Sequence, residues 1–140
     1  GFSLGGLCAL DFVWNHPREF SKVGVFSGSL WWRDKDQDDA DFDEDINRIM
    51  HRQVKEDKNF YPWLKFFFFL FSLDEVADRN QNGIIDSIDD TQSLIDILAD
   101  KGYDRKNNIH YLELNNGRHD VPTWARAFPD FLIWGWGQNS

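Results

Sequence analysis

The feature that most constrains the fold is the run Lys65-Phe66-Phe67-Phe68-Phe69-Leu70-Phe71. It has the length of a strand, is bounded by turn-forming residues, and shows no alternation of polar and apolar side chains. A strand that is apolar on both faces has to be covered on both. A parallel sheet with helices on each side does this. Val23 to Ser27 and Ile109 to Leu114 read as two further strands. Alternation in the second marks it as an edge with one wetter face. The expected class is therefore α/β, a parallel sheet flanked by helices.

The helices are read from periodicity and punctuation. Leu4 to Asn15 is apolar on most sides and reads as buried, with Cys8 as an inert interior thiol. A helix from about Asp45 to Val54 places Ile46, Ile49, Met50 and Val54 on one face and His51 on or near its polar face. Another carries Leu94, Ile95, Ile97 and Leu98 and stops at Gly102. Val121-Pro122 starts a helix bearing Trp124, and Pro129 starts a separate last segment. The acidic stretch from Asp34 to Asp45 reads as a solvated loop.

Charge excludes some partners. The chain carries 24 acidic against 15 basic residues, a net charge of −9, which argues against nucleic acid or an anionic membrane surface. No apolar run is long enough to span a bilayer. One cysteine rules out an internal disulfide.

Chemistry enters at the first five residues. Gly1-Phe2-Ser3-Leu4-Gly5 reads G-x-S-x-G, a nucleophile elbow that holds a serine hydroxyl out of a strand-to-helix turn. Side chains at the flanking glycines are expected to collide with neighbouring elements. Residue 1 is Gly and the only methionine is Met50. The chain is therefore expected to be the C-terminal part of something longer, poorly soluble and inactive by itself. Downstream come an acid just past the phenylalanine strand, Asp74 or Glu75, and His119 on the loop after the last strand. The order serine, acid, histidine is that of the α/β-hydrolases. Ser3 would attack a carbonyl, His119 would move its proton, and the carboxylate would hold the imidazole. The backbone N–H of Leu4 would give one oxyanion hydrogen bond. Trp31 and Trp32, after the turn Ser27-Gly28-Ser29, are candidates for the substrate pocket or for the core.

Residues 78–89 resemble the calcium loop of an EF-hand or a dockerin-type module. Asp78, Asn80, Asn82, Asp86 and Asp89 occupy positions 1, 3, 5, 9 and 12, Gly83 position 6, and the carbonyl of Ile84 would be the seventh-position ligand. The alternative is an Asx-rich turn without metal. A structural calcium ion would favour a secreted or periplasmic location. No cofactor is expected for catalysis.

Together, Gly1-Phe2-Ser3-Leu4-Gly5-Gly6, Phe26-Ser27-Gly28-Ser29-Leu30-Trp31-Trp32, Asn116-Gly117-Arg118-His119-Asp120 with Trp124, and Pro129-Asp130-Phe131-Leu132-Ile133-Trp134 resemble the putative-esterase family of α/β-hydrolases. That family includes enterochelin, feruloyl and acetyl-xylan esterases and mycolyltransferases. The resemblance implies the C-terminal half of an α/β-hydrolase fold over residues 1–140, starting at the elbow, with 78–89 as an insertion. It also implies a Ser-His-acid esterase in which Ser3 and His119 are nucleophile and base. Members usually have a small residue and glycine before the acid, where this chain has Leu70-Phe71-Ser72-Leu73; Asp74 is preferred and Glu75 is the alternative. The expected substrate is a small-molecule or glycan ester of a sugar, siderophore or aromatic acid. The other readings are a catalytically inactive carbohydrate- or partner-binding protein and an acyltransferase.

Overall fold

The computed structural model describes residues 1–138. Three parallel strands, β1 (Lys22–Phe26), β2 (Lys65–Phe71) and β3 (Ile109–Leu114), form one sheet in the order β1-β2-β3. Val23 pairs with Phe66 on one side of β2, and Phe66 with Ile109 on the other. Helix α1 (Leu4–Asn15) precedes β1, α2 (Glu44–Asn47) and α3 (Ile49–Glu56) lead to β2, α4 (Asp86–Asp100) crosses to β3, and α5 (Val121–Trp136) closes the chain.

The phenylalanine run divides itself between two cores. Alternate side chains of a strand point to opposite faces. Phe66 and Phe68 therefore join Leu10 and Trp14 of α1, Met50 and Val54 of α3, and Leu94 and Leu98 of α4. Phe67, Phe69 and Phe71 join Phe26 with Trp124 and Ala127 of α5. All the phenylalanines of β2 are fully buried. At 1.5–3 kcal/mol for each large apolar side chain removed from water, β2 by itself contributes roughly 10 kcal/mol of gross burial.

Several local expectations change. Helix α1 is buried only along Gly6, Leu7, Leu10, Val13 and Trp14. Leu4 and Phe12 are exposed, and so is Cys8, which is not an interior thiol. The expected 45–54 helix is broken at Arg48, whose backbone is extended (φ −77°, ψ 109°). The break turns Ile46 outward and brings His51 into the interior, not onto a polar face. Helix α5 runs unbroken through Pro129. Proline removes the bond to the carbonyl of Ala125, but both residues are exposed, so water can take that carbonyl. Within the 34–45 loop, Asp34 is anchored by Asn47 at 2.9 Å and Arg52 at 2.7 Å.

A buried ionic knot ties the helices on one face together. Arg48 Nη1 donates to Asp90 Oδ1 at 2.9 Å and to Ser93 Oγ at 2.8 Å. Arg79 pairs with Asp90 as well and donates to Glu44 Oε1 at 2.7 Å. His51 Nε2 lies 2.7 Å from the Asp90 carbonyl. A carbonyl only accepts, so Nε2 carries a hydrogen. Burial, reinforced by the Arg48 charge, pushes the His51 pKa down to about 4.

Two outcomes follow from the knot. Asp90→Ala leaves the buried Arg48 guanidinium without its carboxylate, takes one of three carboxylate partners from half-buried Arg79, and should destabilise the protein by about 3 kcal/mol, read from urea midpoints. His51 binds a proton more readily unfolded than folded, so its contribution is complete above pH 6.5 and is lost as pH falls toward 4. The loss should approach 3 kcal/mol, at about 1.4 kcal/mol per pH unit. The unfolding free energy of His51→Gln should therefore fall less steeply than the parent's across that window.

Candidate active site

Ser3 sits at φ 55° and ψ −124°, a conformation that side-chain-bearing residues rarely adopt. Its neighbours hold it there. The Ser3 N–H donates to the Phe26 carbonyl at 2.9 Å, and the Phe26 N–H donates to Gly1 at 3.0 Å. The Ser3 carbonyl accepts from Gly6, Leu7 and Ser29. A Cβ on Gly1 would lie 2.1 Å from the Gly5 oxygen, so no side chain fits there. Gly5 departs from expectation, with open space around it. Gly6 is the tightly packed glycine instead, its Cβ position 3.2 Å from Gly28 Cα.

The chain's far end comes back to this turn. His119 Nε2 lies 2.9 Å from Ser3 Oγ, although the two residues are 116 positions apart. On the other side of the ring, His119 Nδ1 lies 2.5 Å from Asp74 Oδ1. A carboxylate accepts from Nδ1–H, which leaves Nε2 to accept the serine hydroxyl hydrogen. The Asp74 side chain is 2% exposed and that of His119 43%. All three residues stand at the C-terminal side of the strands, where parallel sheets present their functional loops.

Glu75 is elsewhere. Its Oε1 accepts the backbone N–H of Ser87 at 2.6 Å, and burial pushes its pKa up. Asp74, not Glu75, is the carboxylate placed against His119.

The histidine loop is held by its own sequence. Asp120 caps α5 by accepting the Thr123 N–H at 2.9 Å, and the Thr123 hydrogen bonds hold its carboxyl below the usual range. A Cβ on Gly117 would come within 2.5 Å of the Thr123 methyl, so the loop passes there only as glycine. Trp124 ties three elements together. Its ring meets the His119 ring edge-on at 5.0 Å, stacks on Phe2 at 5.0 Å, and its Nε1–H donates to Ser27 Oγ at 2.9 Å.

Ser3, Asp74 and His119 open into a cleft of about 410 Å³. Leu4, at the start of α1, lines it. So does Trp31, whereas Trp32 is not on this wall and its carbonyl accepts the Ile49 N–H. Ser27, Ser29, Glu75 and Ser87 complete the polar lining. The serine-glycine turn announces the first two in the sequence, but nothing there marks Ser87.

The 78–89 loop folds back on itself through Gln81 and Gly83, both at positive φ. Asp78 accepts the N–H groups of Asn82 and Gly83, and Asn82 accepts that of Ile84. The side-chain amides of Asn80 and Asn82 converge on Asp89 Oδ2, at 3.3 and 2.7 Å. Asp86 turns away instead, accepting the Arg79 N–H and pairing with its guanidinium at 3.3 Å. Among the described residues, no three His, Cys, Asp or Glu side chains gather as a metal site.

The backbone resembles that of known esterases. It superposes on the enterobactin esterase from Shigella flexneri with a TM-score of 0.70 at 21% identity, covering 97% of this chain and 30% of that one. A siderophore hydrolase from Aspergillus nidulans gives 0.61 at 16% identity, covering 100% and 50%. The chain thus spans 30% to 50% of the length of these proteins. These likenesses show the fold, a partial α/β-hydrolase sheet. No curated protein matches the sequence. The model of the Putative esterase family matches residues 1–134, nearly the whole chain. On that match, the chain belongs to the Putative esterase family.

Proposed function

We propose that this chain carries the Ser-His-Asp triad of a serine carboxylic-ester hydrolase. The observation that carries the reading is the continuous contact from Ser3 through His119 to buried Asp74. Ser3 Oγ attacks the ester carbonyl as His119 Nε2 takes its proton. The Asp74 carboxylate holds the imidazole tautomer and stabilises the cation that forms. The tetrahedral oxyanion receives the Leu4 N–H, which as a first-turn group has no partner inside α1. His119 then passes its proton to the departing alcohol, and the acyl-serine is released by water through the same steps in reverse order. The strained elbow turn positions the hydroxyl before substrate arrives, so that orientation is not an added cost at the reaction.

Among sugar, siderophore and aromatic-acid esters, the siderophore class is favoured by the two neighbours, an enterobactin esterase and a siderophore hydrolase. No helix among the described residues is long and apolar enough to cross a membrane.

The 78–89 loop is proposed to bind calcium through Asp78, Asn80, Asn82, Asp89 and the Ile84 carbonyl. The loop's turn and the convergence of the two asparagines on Asp89 support this reading. For their oxygens to face an ion at that point, Asn80 and Asn82 would give up the Asn82 and Ile84 N–H groups that they now accept. Asp86, engaged by Arg79, is left out of direct ligation. The ion would stiffen the loop that follows the acid.

Three measurements check these assignments. A fluorophosphonate should add once to the protein by intact mass, and Ser3→Ala and His119→Ala should both abolish the adduct; an adduct surviving Ser3→Ala refutes the nucleophile. Asp74→Asn should lower kcat on an ester substrate by on the order of 10⁴-fold, because the histidine tautomer is lost. Calcium titration should raise the thermal midpoint of the protein and leave that of Asp78→Ala unmoved; equal responses would dismiss the loop as a metal site.

A further inference from the structure

Resting on the esterase reading, we infer that Glu75 and Ser87 form a subsite for a hydrogen-bond donor on the acyl group, selecting hydroxylated or protonated-amine esters and rejecting carboxylates. Glu75 is thereby a specificity residue and not a substitute for Asp74.

The placement comes from two adjoining cavities. Trp31 and Glu75 line the cleft around Ser3, and both also line a second cavity of about 280 Å³ that contains neither Ser3 nor His119. They stand where the cleft leads away from the nucleophile. The leaving alcohol belongs on the His119 side, because that ring must protonate it. The acyl group then runs along Trp31 toward Glu75.

The wall it meets offers acceptors. Glu75 Oε1 is committed to the Ser87 N–H, whereas Oε2 has no protein partner among the described residues. Ser87 Oγ and Asp74 Oδ2 are buried without a hydrogen-bonding partner among the described residues, and both residues line the cleft. Buried polar atoms in this state are costly unless something completes them. A donor on the substrate can be accepted by these oxygens, whereas a carboxylate would be repelled by the Asp74 and Glu75 carboxylates that line the same cleft. The positive end of α4 gives an anion no alternative site, because Glu75 already caps it through Ser87. Among the described residues, no lysine or arginine lines the cleft. Arg33 lines the second cavity, as Asp86 does, with its guanidinium 5.7 Å from the centre of the Trp31 ring.

The test is a matched series of methyl esters of 3-phenylpropanoic acid bearing a para methyl, hydroxyl, aminomethyl or carboxylate group. The rigid ring prevents the substituent from cyclising onto the ester. For the parent protein, kcat/KM for the hydroxyl and aminomethyl esters should exceed that for the methyl ester by about tenfold, with the carboxylate ester slowest. Glu75→Gln keeps an acceptor for the Ser87 N–H, so the fold is retained, and the aminomethyl-to-methyl ratio should collapse toward one. The proposal is overturned by a flat profile, by preference for the carboxylate, by absence of turnover of all four esters, or by a Glu75→Gln variant that slows all four in parallel. Fluorophosphonate labelling of Ser3, run alongside, separates the two levels. Intact labelling with a flat profile removes only the subsite, and no labelling removes the esterase reading with it.

Discussion

Everything in this structure leans on β2 being buried on both faces. Its backbone is paired in parallel on each edge, and its side chains divide between a core made with α1, α3 and α4 and a core made with α5. A strand so placed leaves only its C-terminal end for polar work. Asp74 follows at that end, its side chain sealed in beside His119. The neighbouring strands end at the same edge, so the chain segments that follow β1 and β3 arrive there with Ser27 and His119. Parallel pairing thus aligns chemistry that the sequence spreads over more than a hundred residues.

Strain is concentrated at one point of that edge. Ser3 is held in a rarely adopted conformation by hydrogen bonds to Phe26 and Ser29, while Gly1 and Gly6 remove the side chains that would otherwise block the turn. Trp124 then locks the histidine loop to the elbow through Phe2 and Ser27. Ser3 and His119 are brought together by packing and do not need to find each other by loop motion.

The opposite region, around Asp90, answers a different demand. Beside the Met50 and Val54 contacts of α3, the relation of the two short helices and the 78–89 loop is fixed by a cluster of Arg48, Arg79, Asp90 and His51. Such a cluster is demanding because each charge needs its partner once water is excluded. The same knot reaches the cleft wall through α4, whose first turn holds Asp86 against Arg79 and Ser87 against Glu75.

How much of this was legible beforehand differs from element to element. Strands were visible because uninterrupted apolar runs have one physical solution in a mixed chain, and the elbow and the histidine loop because Gly1 and Gly117 stand where no Cβ fits. The choice between Asp74 and Glu75 was not, since adjacent residues on a turn differ only in which way the backbone aims them. Nor was the place of Ser87, which nothing in its local sequence marks and which faces the cleft only because α4 packs across β2. His51 was misread, because a single extended residue at Arg48 rotates the helix by an amount periodicity cannot register. Pro129 was misread because a proline ends a helix only when its lost hydrogen bond cannot be met by water. The sequence by itself determined the layers, the strand order along the chain and the residues able to do chemistry, since those depend on burial and local geometry. Tertiary structure alone decided which carboxylate meets the histidine and what lines the cleft, since those depend on the relative orientation of distant segments.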